Sequence, residues 1–234
     1  MLLLLHGFGD SDVNFAAFGA KLQLPQTAVL AVRAPIPMLD IGFTWFDVFT
    51  ESGDLCFDSS DAIASLRETS AALLPLLQRV HAQYGYALRN IFMLGFSQGG
   101  TVALGAALSM GCVTIGGIIS ICGAPPPPLP STMCSSTPIL FTLGERDVSA
   151  TSKARAWSQF ETHWRSPGAS LSPSSSAADT NIDCCMLIVA GKTEAMLQGE
   201  DETRTLMQFF SRHLNLRSLQ LYVSAFSPPR LSAC

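Results

Sequence analysis

The chain has 234 residues, 48% of them hydrophobic and 14% charged, with a formal net charge of −4; that suits one well-filled domain and excludes a disordered chain. No basic cluster offsets the negative balance, which excludes nucleic acid as a partner, because phosphate neutralisation needs grouped Lys and Arg. The opening MLLLLHGFGD lacks a basic leader and is too briefly apolar for a signal peptide or a membrane span, so a cytoplasmic protein with no transmembrane segment is expected.

Along the chain, short apolar runs alternate with helix-length segments. LLLL at 2–5 and AVLAV at 28–32 read as buried strands. After the capping-type run DSSD, residues 61–80 place Ile63, Leu66, Leu73, Leu77 and Val80 on one helical face, with Pro75 expected to kink it. NIFMLGF at 90–96, GIISIC at 117–122, PILFTLG at 138–144 and CMLIV at 185–189 complete the set of strands. Such alternation predicts an α/β fold: a mostly parallel central sheet with helices on both faces. Residues 1–214 read as the single domain, interrupted by a flexible Ser/Pro-rich loop at about 165–181 and followed by a loosely attached tail at 215–234. The seven cysteines lack C-x-x-C spacing and sit mostly in apolar surroundings, which predicts reduced thiols and no metal.

Gly95-Phe96-Ser97-Gln98-Gly99 follows a strand pattern and opens a helix pattern. That context turns an otherwise weak G-x-S-x-G match into a nucleophile elbow, with small residues leaving room for a strained turn. Ser97 is therefore the candidate nucleophile. An acyl-transfer site also needs N–H donors where charge develops on the carbonyl oxygen. Gln98, at the positive end of the new helix, supplies one, and Phe8, in the glycine-flanked turn after the first strand, is the candidate for the other. His6 precedes the serine and reads as ordering its own turn. Asp147, in GERD just after a strand, fits the acid that stands between serine and histidine in this chain order.

HGFGD, APIPMLDIGFTWFD, GFSQGG and GERD, in that order, make the chain resemble the phospholipase/carboxylesterase family of α/β-hydrolases, which includes acyl-protein thioesterases. The resemblance spans residues 1 to about 150 and resumes over 186–214. It implies the α/β-hydrolase fold, Ser97 and Asp147 as catalytic residues, Phe8 and Gln98 as the oxyanion hole, and Trp45 and Phe46 lining the acyl side of the cleft; core packing is the alternative for those two rings. It further implies a small acyl ester or thioester as substrate, carried by a lipid or an acylated protein, and no cofactor. Family members have more sequence before the first strand, so an edge strand or two is expected to be missing here, and 215–234 has no counterpart.

The family's histidine stands in a loop between the last strand and the last helix. Here that loop reads Gly191-Lys192-Thr193-Glu194-Ala195-Met196, which puts Glu194 at the expected histidine position. His81 falls before the nucleophile, and His213 lies roughly 20 Å along a helix from the loop. His163, in a helical pattern after Asp147, is the remaining alternative base. Three readings stay open: a serine hydrolase, a catalytically silent acyl- or protein-binding relative, and a hydrolase rescued by an alternate base.

Overall fold

The computed structural model describes residues 1–39, 41–50, 52–127, 135–164 and 184–214. The stretches 165–181 and 215–234 lie outside the described residues, and so does the His163 side chain. The described chain runs β1 (Leu2–Leu5), α1 (Asp12–Lys21), β2 (Val29–Val32), β3 (Ile36–Met38), β4 (Gly42–Thr44), α2 (Ser60–Tyr84), a 3-10 turn (Leu88–Asn90), β5 (Phe92–Phe96), α3 (Gln98–Ser109), β6 (Gly117–Ile121), β7 (Ile139–Gly144), α4 (Ala150–Trp164), β8 (Cys184–Val189) and α5 (Gly199–His213).

The six apolar runs become one parallel sheet in the order β2-β1-β5-β6-β7-β8. The four inner strands are buried on both faces and need no alternation in sequence, and their side chains divide between two helical layers. The edge strands β2 and β8, also expected to be buried, are not: Val29, Met186 and Ile188 are exposed, because an edge strand lacks a neighbour on one side. Leu3, Leu5, Met93 and Phe141 pack with Leu73 and Leu77 of α2, Val102 of α3, and Trp157, Phe160 and Trp164 of α4. Leu2, Leu4, Leu94 and Leu140 pack instead with Phe15 of α1 and with Leu206, Phe209 and Phe210 of α5.

The helix expected over 61–80 forms and runs further at both ends. Ser59 caps its start by accepting the Ala62 N–H at 3.1 Å, and Gly85, at φ +72°, closes its end by donating to His81 O at 2.9 Å. Pro75 sits inside the continuous helix.

Two further features differ from the sequence reading. An antiparallel hairpin pairs Ile36 with Thr44 and Met38 with Gly42; strands this short, one containing Pro37, carry no readable periodicity. Its Gly42 has φ +105°, and a Cβ there would lie 2.6 Å from Gly9 O and 2.7 Å from Asp10 O, so the hairpin presses directly on the loop after β1. Second, Cys112 is disulfide-bonded, correcting the expectation of a fully reduced set. Pairing depends on a Cα separation that the fold sets and spacing alone does not reveal.

Candidate active site

From β1 the chain crosses to β2 on one side, whereas from β5 it proceeds to β6 on the other. Adjacent parallel strands whose connections diverge leave a crevice at their carboxyl ends, and this is where α/β sheets hold ligands. Phe8, Ser97 with Gln98, Asp147 and Glu194 follow β1, β5, β7 and β8, so the topology gathers them at the carboxyl end of the parallel sheet, whereas Trp45 and Phe46 follow β4 of the hairpin.

Ser97 joins β5 to α3 with φ +48° and ψ −116°. A non-glycine residue there carries strain of order 1–3 kcal/mol. It is held by its own N–H donating to Ile121 O at 2.7 Å and by Thr101 N–H donating back to Ser97 O at 3.0 Å. The bend is possible because backbones touch: a Cβ on Gly95 would collide with Gly99 O, and one on Gly99 with Leu5 O and His6 O. The loop after β1 and the start of α3 are thus pressed together.

Gln98 opens α3, so its N–H is among those with no intrahelical acceptor. Its side chain is clamped: Trp45 N–H donates to Oε1 at 2.8 Å, while Nε2 donates to Thr44 Oγ1 at 2.9 Å, whose hydroxyl donates to Phe46 O at 2.9 Å. Trp45 and Phe46 are 2% and 4% exposed, and the Trp45 indole N–H donates to His6 O at 2.7 Å. Both aromatics therefore stand behind Gln98 in the packed interior. Phe8 is half-buried, its ring 6.0 Å from that of Phe57. His6 is fully buried, with Nδ1–H donating to Gly7 O at 2.8 Å and Nε2 accepting the Ala34 N–H at 3.1 Å. Burial holds its pKa below the ordinary imidazole value.

The Ser97 hydroxyl donates a hydrogen bond to Glu194 Oε1. Asp147 makes no direct bond to either residue. Its Oδ1 accepts the Ser149 N–H at 2.7 Å, and its Oδ2 accepts from Lys153 Nζ at 2.7 Å. The same ammonium lies 3.4 Å from Glu194 Oε2. Serine, glutamate, lysine and aspartate thus form one chain of contacts, its last carboxylate wholly buried.

The Glu194 loop is anchored from below. Lys192, 1% exposed, turns inward onto the fully buried Glu202, with Nζ–Oε1 at 2.5 Å. Glu202 also accepts from the Thr142 hydroxyl at 2.6 Å and the Gln198 N–H at 2.8 Å. Arg146 N–H donates to Lys192 O at 2.8 Å, joining the loop after β8 to the one carrying Asp147. Next to Ser97, Cys122 donates through Sγ to Ala195 O at 3.6 Å, and burial pushes its thiol pKa up.

His81, at the end of α2, bonds Tyr86 O at 2.7 Å on the approach to the amino end of β5, away from Ser97. His213 lies in the last turn of α5, its ring 4.8 Å from Phe209. His163 sits about 15 Å further along α4 than Lys153, at a rise of about 1.5 Å per residue. The residue from α4 that reaches Asp147 is Lys153, which sequence reasoning missed. Its signal was a lysine in the first turn of the helix that follows Asp147.

The model of the phospholipase/carboxylesterase family matches residues 1–160. An uncharacterized hydrolase of Mycosarcoma maydis is 34% identical over 148 residues, covering 60% of this chain and 54% of that protein. The chain spans about half the length of the curated relatives it matches. Among solved structures, esterase PE8 superposes with a TM-score of 0.71 at 23% identity, over 91% of this chain and 92% of that one. A carboxylesterase from Mesorhizobium loti does so at 0.68 and 17%, over 90% and 87%. The likeness to these structures is one of fold: that of the α/β-hydrolases.

Proposed function

The chain belongs to the phospholipase/carboxylesterase family, and on that premise we propose that it is a serine hydrolase of carboxylic esters or thioesters with Ser97 as nucleophile. One observation carries the reading: a serine held at φ +48° before the first N–H of α3, its hydroxyl bonded to a carboxylate in the loop after β8. Ser97 Oγ attacks the acyl carbon while its proton passes to Glu194. The carbonyl electron pair moves onto oxygen, where the Gln98 and Phe8 N–H groups receive it. As the intermediate collapses, the C–O or C–S bond breaks and the leaving group takes the proton from Glu194. Water then attacks the acyl-serine by the same proton route and releases the acid.

The substrate is a small acyl ester or thioester, including one carried by a lipid or a protein, with Trp45 and Phe46 forming the wall behind the oxyanion side. A carboxylate of reference pKa about 4.3 is a weaker base than imidazole at about 6.5, so turnover is slow for a member of this family. The test is covalent labelling with a fluorophosphonate probe, complete in the wild-type chain and abolished in Ser97→Ala. Absence of labelling at saturating probe would refute the proposal.

The weakness of that base favours a second reading, a silent relative that binds an acyl group without hydrolysing it. Single-turnover measurements with an activated aryl ester separate the two: an acyl-enzyme that forms and decays supports the hydrolase, whereas saturable binding without acylation supports the silent form.

A further inference from the structure

We infer that Lys153 is the second half of the change at Glu194, so that the Glu194–Lys153 pair together stands in for the missing imidazole; the inference rests on the proposed role of Ser97. A neutral imidazole would bridge serine and aspartate while adding no net charge. Glu194 and Lys153 bridge the same two groups: the carboxylate accepts from Ser97, and the ammonium donates to Asp147 at 2.7 Å while lying 3.4 Å from Glu194. Ionised, the two side chains also sum to zero, so the site keeps the single negative charge of Asp147 that a serine–histidine–aspartate triad has.

Lys153 joins the two carboxylates of the site through one cation, bonded to Asp147 at 2.7 Å and lying 3.4 Å from Glu194. The Lys153 side chain is 14% exposed and that of Asp147 is wholly buried, whereas that of Glu194 is 38% exposed, so the contact with Asp147 is the less screened of the two. Among the described residues, the groups facing the Glu194 carboxylate are few. Lys153 comes from α4, with Asp147 behind it, and Lys192, in the same loop, is turned away onto Glu202. Lys153 is accordingly a positioning residue. It does not touch the serine hydroxyl, and acts by holding Glu194 in place between Ser97 and Asp147.

One consequence separates this from an ordinary surface ion pair. Restoring histidine at position 194 should fail on its own, because Lys153 occupies the aspartate oxygen that an imidazole N–H needs. The experiment compares wild type, E194H, K153A and E194H/K153A, each with and without S97A, on p-nitrophenyl butyrate. The double variant should exceed E194H by at least about tenfold, and exceed the product of the two single effects, since an imidazole without its aspartate partner forfeits most of its catalytic value. K153A alone should lower the rate.

A second measurement does not depend on turnover. NMR titration of the imidazole introduced by E194H should give a midpoint at least about one unit higher in the double variant than in E194H, because the nearest charge changes from an ammonium to a carboxylate. K153M, which keeps the aliphatic stem, replaces K153A if the latter unfolds. Equal midpoints, or E194H as fast as the double variant, would overturn the inference while leaving Ser97 as nucleophile. If S97A left the rates of all four proteins unchanged, the reading of Ser97 would fall instead, and the titration would still decide the pairing of Lys153 with Asp147.

Discussion

The loops after β1 and β5 meet those after β7 and β8 at the Ser97–Glu194 contact, yet they are built from different materials. The first pair is made of backbone: a strained serine, glycines with no room for a Cβ, and helix N–H groups. The second is made of charged side chains, Asp147, Lys153 and Glu194 above the buried Lys192–Glu202 pair. Backbone geometry tolerates almost no substitution without rebuilding the turn, whereas a charge arrangement can be re-solved by changing two side chains together.

The sharpest way to break the charged half is to unbalance its foundation. Lys192→Met should cost about 3–5 kcal/mol, because it leaves the Glu202 carboxylate buried without its counter-ion. Urea unfolding measures this. Adding Glu202→Gln should recover part of the loss, since a neutral amide can still accept from Thr142 or Gln198. If the double variant were no more stable than Lys192→Met, the cost would lie in packing and not in an uncompensated charge.

The corresponding blow to the backbone half is Gly99→Ala. Its Cβ would meet Leu5 O and His6 O, atoms that no side-chain rotation can move. A stability loss of about 1–3 kcal/mol is expected from overpacking, together with a fall of about a hundredfold in the fluorophosphonate labelling rate, since small displacements of reacting groups are that costly. A variant labelled at the wild-type rate would show that the elbow and the loop after β1 can separate without consequence.

The same contrast explains what could be read from the sequence. The sheet strands and the elbow are spelled out locally, in apolar runs and in glycines beside Ser97, because the physics that shapes them acts over a few residues. The placement of Glu194 came from a resemblance of motifs. Lys153 escaped because its meaning depends on β7, α4 and the loop after β8 converging, and a lysine in a first helical turn looks like any solvated residue until they do. The Gln98 clamp was hidden for a similar reason, since Thr44 and Trp45 reach it from a hairpin too short to show a period. For Trp45 and Phe46 the sequence left lining and core packing open, and both rings are found buried.

The smallest predicted effect concerns a titratable prop of the backbone half. His6 holds the loop after β1 in its neutral form, with Nδ1–H on Gly7 O and Nε2 receiving the Ala34 N–H. A second ring proton would set donor against donor at Ala34. Burial lowers the pKa in the folded chain from its ordinary value of 6.5. Above pH 6.5 both folded and unfolded chains carry the neutral ring, so this group leaves stability unchanged. As pH falls below that value, the unfolded chain takes up a proton that the folded one refuses, and stability declines until the folded pKa is passed. The slope contributed by one proton is at most about 1.4 kcal/mol per pH unit. Urea midpoints compared at about pH 5 and about pH 7.5, on either side of the imidazole range, should show a larger drop in the wild-type chain than in His6→Gln. The variant lacks the titrating ring but keeps every carboxylate, so subtracting the two profiles isolates His6. Parallel profiles would mean that the loop accepts the imidazolium, and that the backbone half is less rigid than its hydrogen bonds imply.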